Sequence, residues 1–219
     1  MRRSAKPFSA GRWCAASLIF VLAIAASAGC SVSGKKAAYE GYDRDAWQKP
    51  DEVIEMLSIA PGSAIADLGS GSGYFTGRLA RATGSDGTVY AVDVDEEMNA
   101  YLAERMREEG VDNVEIITAA PDDAGLPTGA IDLVFTSNTF HHLPEPQSYF
   151  ARLREALAPG ARVAVLEYSG ETGGFFVKWF GHSTEPDEIR RAMEAAGYRL
   201  ASDRTLERQS LLIFRPAGG

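Results

Sequence analysis

Past Cys30 the chain contains no cysteine: both of its cysteines, Cys14 and Cys30, fall in the first thirty of 219 residues. That absence excludes a disulfide scaffold, a thiolate metal site and a cysteine nucleophile from Ser31 onward. Histidine is almost as scarce, with only His141, His142 and His182. Acid is missing from residues 1–29, which hold Arg2, Arg3, Lys6 and Arg12 and no Asp or Glu. The rest of the chain therefore carries 18 basic against 30 acidic residues, a net of −12. A surface of that sign has no general attraction for nucleic acid or anionic lipid, so DNA and RNA are excluded as bulk partners. What is present is ordinary globular usage, 45% hydrophobic and 24% charged, enough to bury a core.

The uncharged stretch 13–28 has sixteen residues, short of the roughly 20 that cross a bilayer comfortably. It follows a basic start and ends in small residues, the pattern of a secretory signal. Ser27-Ala28-Gly29-Cys30 resembles a bacterial lipoprotein signal, with Ser27 where Leu is usual, and implies a lipid on Cys30. Three readings stand: a membrane-anchored lipoprotein of the cell envelope or periplasm, simple cleavage near Ala28, and an uncleaved anchor or misassigned start on a cytoplasmic enzyme. Cys14 is a small hydrophobe inside that stretch. The expected organisation is a signal at 1–29, a polar tether at 30–41 and one domain at 42–219.

From Tyr42 short apolar runs alternate with longer amphipathic stretches. Strands are expected at 64–68, 88–94, 114–118, 131–136, 162–168, 198–202 and 211–215. Helices are expected at 50–57, 73–83, 96–109, 146–157 and 186–196, with Pro61-Gly62, Gly84, Gly110, Pro159-Gly160 and Gly197 as breakers. Such alternation predicts an α/β fold, a doubly wound, seven-stranded and mostly parallel sheet with helices on both faces. The last two runs have no helix between them and are expected to pair antiparallel at one edge. In such a sheet ligands bind at the carboxyl ends of the strands.

After the first strand stands Asp67-Leu68-Gly69-Ser70-Gly71-Ser72-Gly73-Tyr74. Glycines at alternate positions let the backbone turn tightly and a ligand approach closely. The second strand ends at Asp93, twenty residues after Gly73, where a carboxylate can accept hydrogen bonds from both hydroxyls of a ribose. These residues resemble the class I S-adenosylmethionine-dependent methyltransferases, of the type 11 kind. Pro121-Asp122-Asp123-Ala124-Gly125-Leu126-Pro127 resembles their segment after the third strand, and Asn138 with His141-His142-Leu143 resembles the active-site end of their fourth. Leu157-Ala158-Pro159-Gly160-Ala161 resembles their turn before the fifth strand, with Ala161 for the second glycine. Arg44 to Pro50 and Gly181-His182 look like the flanks of a bacterial subgroup that is often exported.

The resemblance implies a Rossmann-like fold and S-adenosylmethionine as cofactor. It assigns Asp67 to the methionyl end, Gly69, Ser70, Gly71 and Gly73 to backbone contact, Asp93 to ribose, and Val94, Asp123 and Asn138 to the rest of the cofactor pocket, with Asp122 the alternative to Asp123. His141 and His142 stand where an acceptor would meet the methyl and are the candidate catalytic bases; the alternative is that one caps or packs the following helix and the other is a surface residue. Glu167-Tyr168 ends the fifth strand and is a further candidate. No spacing among His141, His142, His182 and Glu167 supports a metal site. The aromatic stretch 173–181 reads as a lid over an apolar or aromatic acceptor, as core, or as a membrane contact. Two functions follow: methyl transfer to a small acceptor, or an exported lipoprotein that binds the cofactor or a related nucleoside without turnover.

Overall fold

A computed structural model describes residues 43–168 and 183–218. Helix α1 (Arg44–Gln48) and helix α2 (Pro50–Leu57) precede β1 (Ala64–Leu68). Then come α3 (Thr76–Thr83), β2 (Thr88–Asp93), α4 (Glu96–Glu108), β3 (Val114–Thr118), β4 (Ile131–Ser137), α5 (Pro146–Leu153), β5 (Leu157–Tyr168), α6 (Pro186–Ala195), β6 (Tyr198–Thr205) and β7 (Gln209–Pro216). Seven strands form one sheet in the order β3-β2-β1-β4-β5-β7-β6. All pairings are parallel except those of β7 with β5 and β6. The order reverses between β1 and β4, which places the ends of those adjacent strands at the position where such sheets bind ligands.

Side-chain alternation divides the core. Ala66, Val134, Val163, Val165, Leu212 and Phe214 pack with Phe150 and Leu153 of α5 and Ile189 and Met193 of α6. Their neighbours Ile65, Leu133, Phe135, Ala164, Leu166 and Leu211 face the other way, against Val53 and Leu57 of α2 and Leu79 of α3. A strand with both faces covered reads as a continuous apolar run, which is why Val163 to Leu166 are fully buried in succession.

Boundaries differ from the expected ones where the backbone demands it. α3 begins at Thr76, three residues after the expected start, because Gly73 has φ +81° and cannot belong to a right-handed helix. α5 stops at Leu153, and the chain joins the sheet at Leu157, which pairs with Ile131 before an irregularity that admits Pro159-Gly160. β2 stops at Asp93 and leaves Val94 outside it. β6 runs on to Thr205, and α1 was not expected at all. The signal, the tether and the stretch 173–181 lie outside the described residues.

Candidate functional site

The residues expected to hold a cofactor come from neighbouring stretches of chain. The loop leaves β1 with Gly69, Gly71 and Gly73 at φ +77°, +50° and +81°. At Gly69 a Cβ would fall 2.1 Å from Oγ1 of Thr139, so only glycine lets the loop pass the end of β4. Asp93 fastens the loop from β2: its Oδ2 accepts from the Gly71 N–H at 2.8 Å, and its Oδ1 accepts from the Asp95 N–H at 3.0 Å. Each carboxylate oxygen has a further lone pair, so these bonds leave acceptor capacity. Val94, next in the chain, is 58% exposed, a large apolar side chain left open beside that carboxylate. The buried hydroxyls of Ser70 and Ser72 make no hydrogen bond among the described residues.

Asp67 is buried at the end of β1, where its Oδ2 accepts from the Thr76 hydroxyl at 2.6 Å. Burial raises its pKa to about 6; the nearby Asp93 adds to the rise, while the Thr76 bond and the Arg44 charge oppose it. A group held so close to neutrality gains from a bound cation.

The two candidates after β3 are set apart by Arg152. This side chain donates to the Asp122 carbonyl at 2.6 and 3.1 Å, whereas the Asp123 Oδ1 accepts from the Gly125 N–H at 3.0 Å. Both acids are exposed and line a cavity of about 370 Å³ with Tyr149 and Arg152. The loop is joined to Asp93 through the Ala119 N–H, which donates to the Asp93 carbonyl at 3.0 Å, and the Ala120–Asp123 bridge closes the loop on itself.

The ends of β4 and β5, where an acceptor is expected, are assembled from distant segments. β4 and β5 pair Ser137 with Leu166, and the Asn138 N–H continues that ladder to the Leu166 carbonyl at 2.9 Å. Asn138 then takes φ +54°, and a short turn, Phe140–His142, follows. The register brings His141 Nδ1 within 2.8 Å of the Glu167 Oε1, with the two side chains 7% and 1% exposed. A carboxylate at this distance can only accept, which favours the tautomer of a neutral imidazole that has its proton on Nδ1 and its lone pair on Nε2. His142 is exposed, with its ring centre 4.0 Å from that of His141. The two histidines therefore differ in kind, one buried against a carboxylate and the other at the surface. Among the described residues no three His, Cys, Asp or Glu side chains are grouped to hold a metal, and His182 lies outside them.

Three participants were given no role by the sequence. Gln48, almost fully buried, donates from Nε2 to Ser137 Oγ at 3.2 Å and to Gln209 Oε1 at 3.0 Å. Gln209 in turn donates to Asn138 Oδ1 at 2.7 Å. Thr139, against Gly69, is the third. Aromatic stacking of Trp47 on Tyr168, with ring centres 5.4 Å apart, fixes α1 to the end of β5.

Comparison with known proteins agrees with this geometry. Residues 65–160 match a family model described as a methyltransferase domain. Over 117 residues the chain is 28% identical to the ubiquinone/menaquinone biosynthesis C-methyltransferase UbiE of Burkholderia mallei, covering 53% of this chain and 48% of that protein. The chain thus spans about half the length of the curated relatives it matches. A SAM-dependent methyltransferase from Aquifex aeolicus superposes with a TM-score of 0.76 at 25% identity, covering 84% of this chain and 97% of its own. The [4+2]-cyclase SpnF shares the fold at a TM-score of 0.70 and 16% identity, over 82% of this chain and 83% of its own. The seven-stranded sheet has the Rossmann-like fold of these methyltransferases, and residues 65–160 are similar to a methyltransferase domain.

Proposed function

We propose that the chain transfers a methyl group from S-adenosylmethionine to O, N or C of a small apolar or aromatic acceptor. The observation that carries this is one of placement. A glycine loop fastened by Asp93 ends β1, and a buried His141–Glu167 pair stands beyond its neighbours β4 and β5. When bound, S-adenosylmethionine supplies a methyl group on a sulfonium cation. The residues present fit it: unpartnered buried hydroxyls at Ser70 and Ser72, left-handed glycines, and exposed Val94 beside Asp93.

In this reading Asp67 meets the ammonium of the methionyl end, Asp93 accepts from the ribose hydroxyls, and Val94 and Asp123 meet the adenine. Asn138, held by Gln209, closes the pocket toward β4. Loop and strand ends hold the reacting atoms in line, and alignment of this kind supplies about 7 to 11 kcal/mol in well-oriented systems. His141, oriented by Glu167, takes the proton that the acceptor loses, and His142 stands at the rim. That pair favours turnover over binding alone, because a nucleoside-binding pocket has no use for a buried proton acceptor at its far end. An apolar or aromatic acceptor is supported by the likeness to UbiE and by the Trp47–Tyr168 stack at the acceptor side.

A lipid on Cys30 and an envelope location belong to the same proposal and rest on the sequence of residues 2–30. Labelling cells with radioactive palmitate tests it: label should be absent from Cys30→Ala, and persistence of label refutes attachment there. For the cofactor, calorimetric titration with S-adenosylmethionine is expected to show binding, and its absence at millimolar concentration defeats the proposal.

A further inference from the structure

The cofactor proposed above ends in an α-amino acid, a zwitterion that calls for an acid and a base side by side. Asp67 supplies the acid. Helix α1 supplies the base. The Arg44 guanidinium carbon lies 3.7 Å from the centre of the Tyr74 ring and 6.0 Å from that of Phe75, the two residues that follow Gly73. Its Nε donates to Gln48 Oε1.

α1 has five residues and could not hold an arginine in place alone. It is fixed on both sides. Asp45 accepts from the Tyr74 hydroxyl and from Arg78 at 3.2 Å, which ties α1 to the glycine loop. Gln48 ties it to Ser137 and Gln209 at the ends of β4 and β7. Arg44 thus stands between the loop and the strand ends on a pre-set support. Its charge and that of Asp67 act on each other. Burial pushes the guanidinium below its ordinary range, a cost that a bound anion offsets.

We infer that Arg44 binds the carboxylate of the methionyl end of S-adenosylmethionine, beside the ammonium held by Asp67, an inference that rests on the cofactor reading above. The planar guanidinium fork matches a carboxylate, and charge-assisted pairs of this kind are the stronger hydrogen bonds.

Two ligands isolate the contact: S-adenosylhomocysteine, and its decarboxylated analogue, which keeps the amine and lacks only the carboxylate. Each is titrated calorimetrically into the full chain and into Arg44→Gln and Arg44→Lys. Arg44→Gln is expected to lose about tenfold or more in affinity for S-adenosylhomocysteine and less than about twofold for the analogue. Arg44→Lys, which keeps the charge, should recover part of that loss. Binding of the analogue shows that each variant is folded. Equal losses for both ligands, or none for either, overturn the assignment and leave the cofactor reading standing. If the unaltered chain binds neither ligand at millimolar concentration, the cofactor reading falls and Arg44 with it.

Discussion

At the ends of β1 and β2 the site is made largely of backbone, with the acids Asp67 and Asp93 and the loop between them drawn from fewer than thirty consecutive residues. The ends of β4, β5 and β7 are made of side chains from Gln48, Asn138, His141, Glu167 and Gln209, joined only when the sheet has formed. In the proposed function the first region recognises a cofactor common to a whole class of enzymes, for which close backbone approach suffices, and the second recognises one acceptor, a choice that resides in side chains. The two approach each other closely where Gly69 passes Thr139.

Breaking that contact should have the largest effect. Gly69→Ala places a Cβ 2.1 Å from Thr139 Oγ1 in a left-handed backbone, so cofactor binding is expected to vanish and unfolding stability to fall by at least about 2 kcal/mol. Gly62→Ala is the control, since it shares the positive φ at the other end of β1 but meets nothing within 4 Å. It should cost only about 1 kcal/mol and spare binding. Chemical denaturation and calorimetry of the two variants together check this, and equal behaviour would show that the close approach is irrelevant.

A smaller and more selective effect is expected on the acceptor side. His141→Ala and Glu167→Gln should each lower turnover about a hundredfold, read as release of S-adenosylhomocysteine with phenolic or quinol acceptors, and leave the cofactor dissociation constant within about twofold. His142→Ala, at an exposed position, should change turnover far less. A loss of cofactor affinity in His141→Ala would mean that the two regions are not separate.

The same division decides what the sequence made legible. Asp67, the glycines and Asp93 belong to one continuous run whose spacing reflects a strand, a turn and a helix, so they can be read in order. The central strands were equally readable, because both faces of the sheet are covered there and a strand such as β5 becomes an apolar run, whereas the edge strand β6 is mostly exposed. The role of Gln48 was not readable: it lies in the flank Arg44 to Pro50, but its partner is 161 positions away, and five-residue α1 is too short to show a helical period. Glu167 could be placed at a strand end, but its bond to His141 depends on the β4–β5 register, which no local pattern specifies. The late start of α3 is the intermediate case, a helical pattern overruled by the backbone that the ligand loop needs at Gly73.

The finest test sets stability against binding within the cofactor region itself. Asp67 has a folded-state pKa of about 6, above the ordinary carboxylate value of 3.8, so without cofactor the folded chain holds this proton more tightly than the unfolded chain does. Its contribution to stability is therefore unfavourable at neutral pH and is relieved as pH falls through 6 toward 4. The difference corresponds to about 3 kcal/mol at most. Asp67→Asn keeps an acceptor for the Thr76 hydroxyl and removes the charge. It should stabilise the cofactor-free chain at pH 7 by about 1 to 3 kcal/mol, with the gain shrinking as the pH is lowered to 4, while weakening S-adenosylmethionine. Urea unfolding at the two pH values reads the first effect and calorimetry the second. A variant that is less stable at pH 7, or that binds as well as the parent, would show that Asp67 is a structural acid and that the methionyl end is held elsewhere.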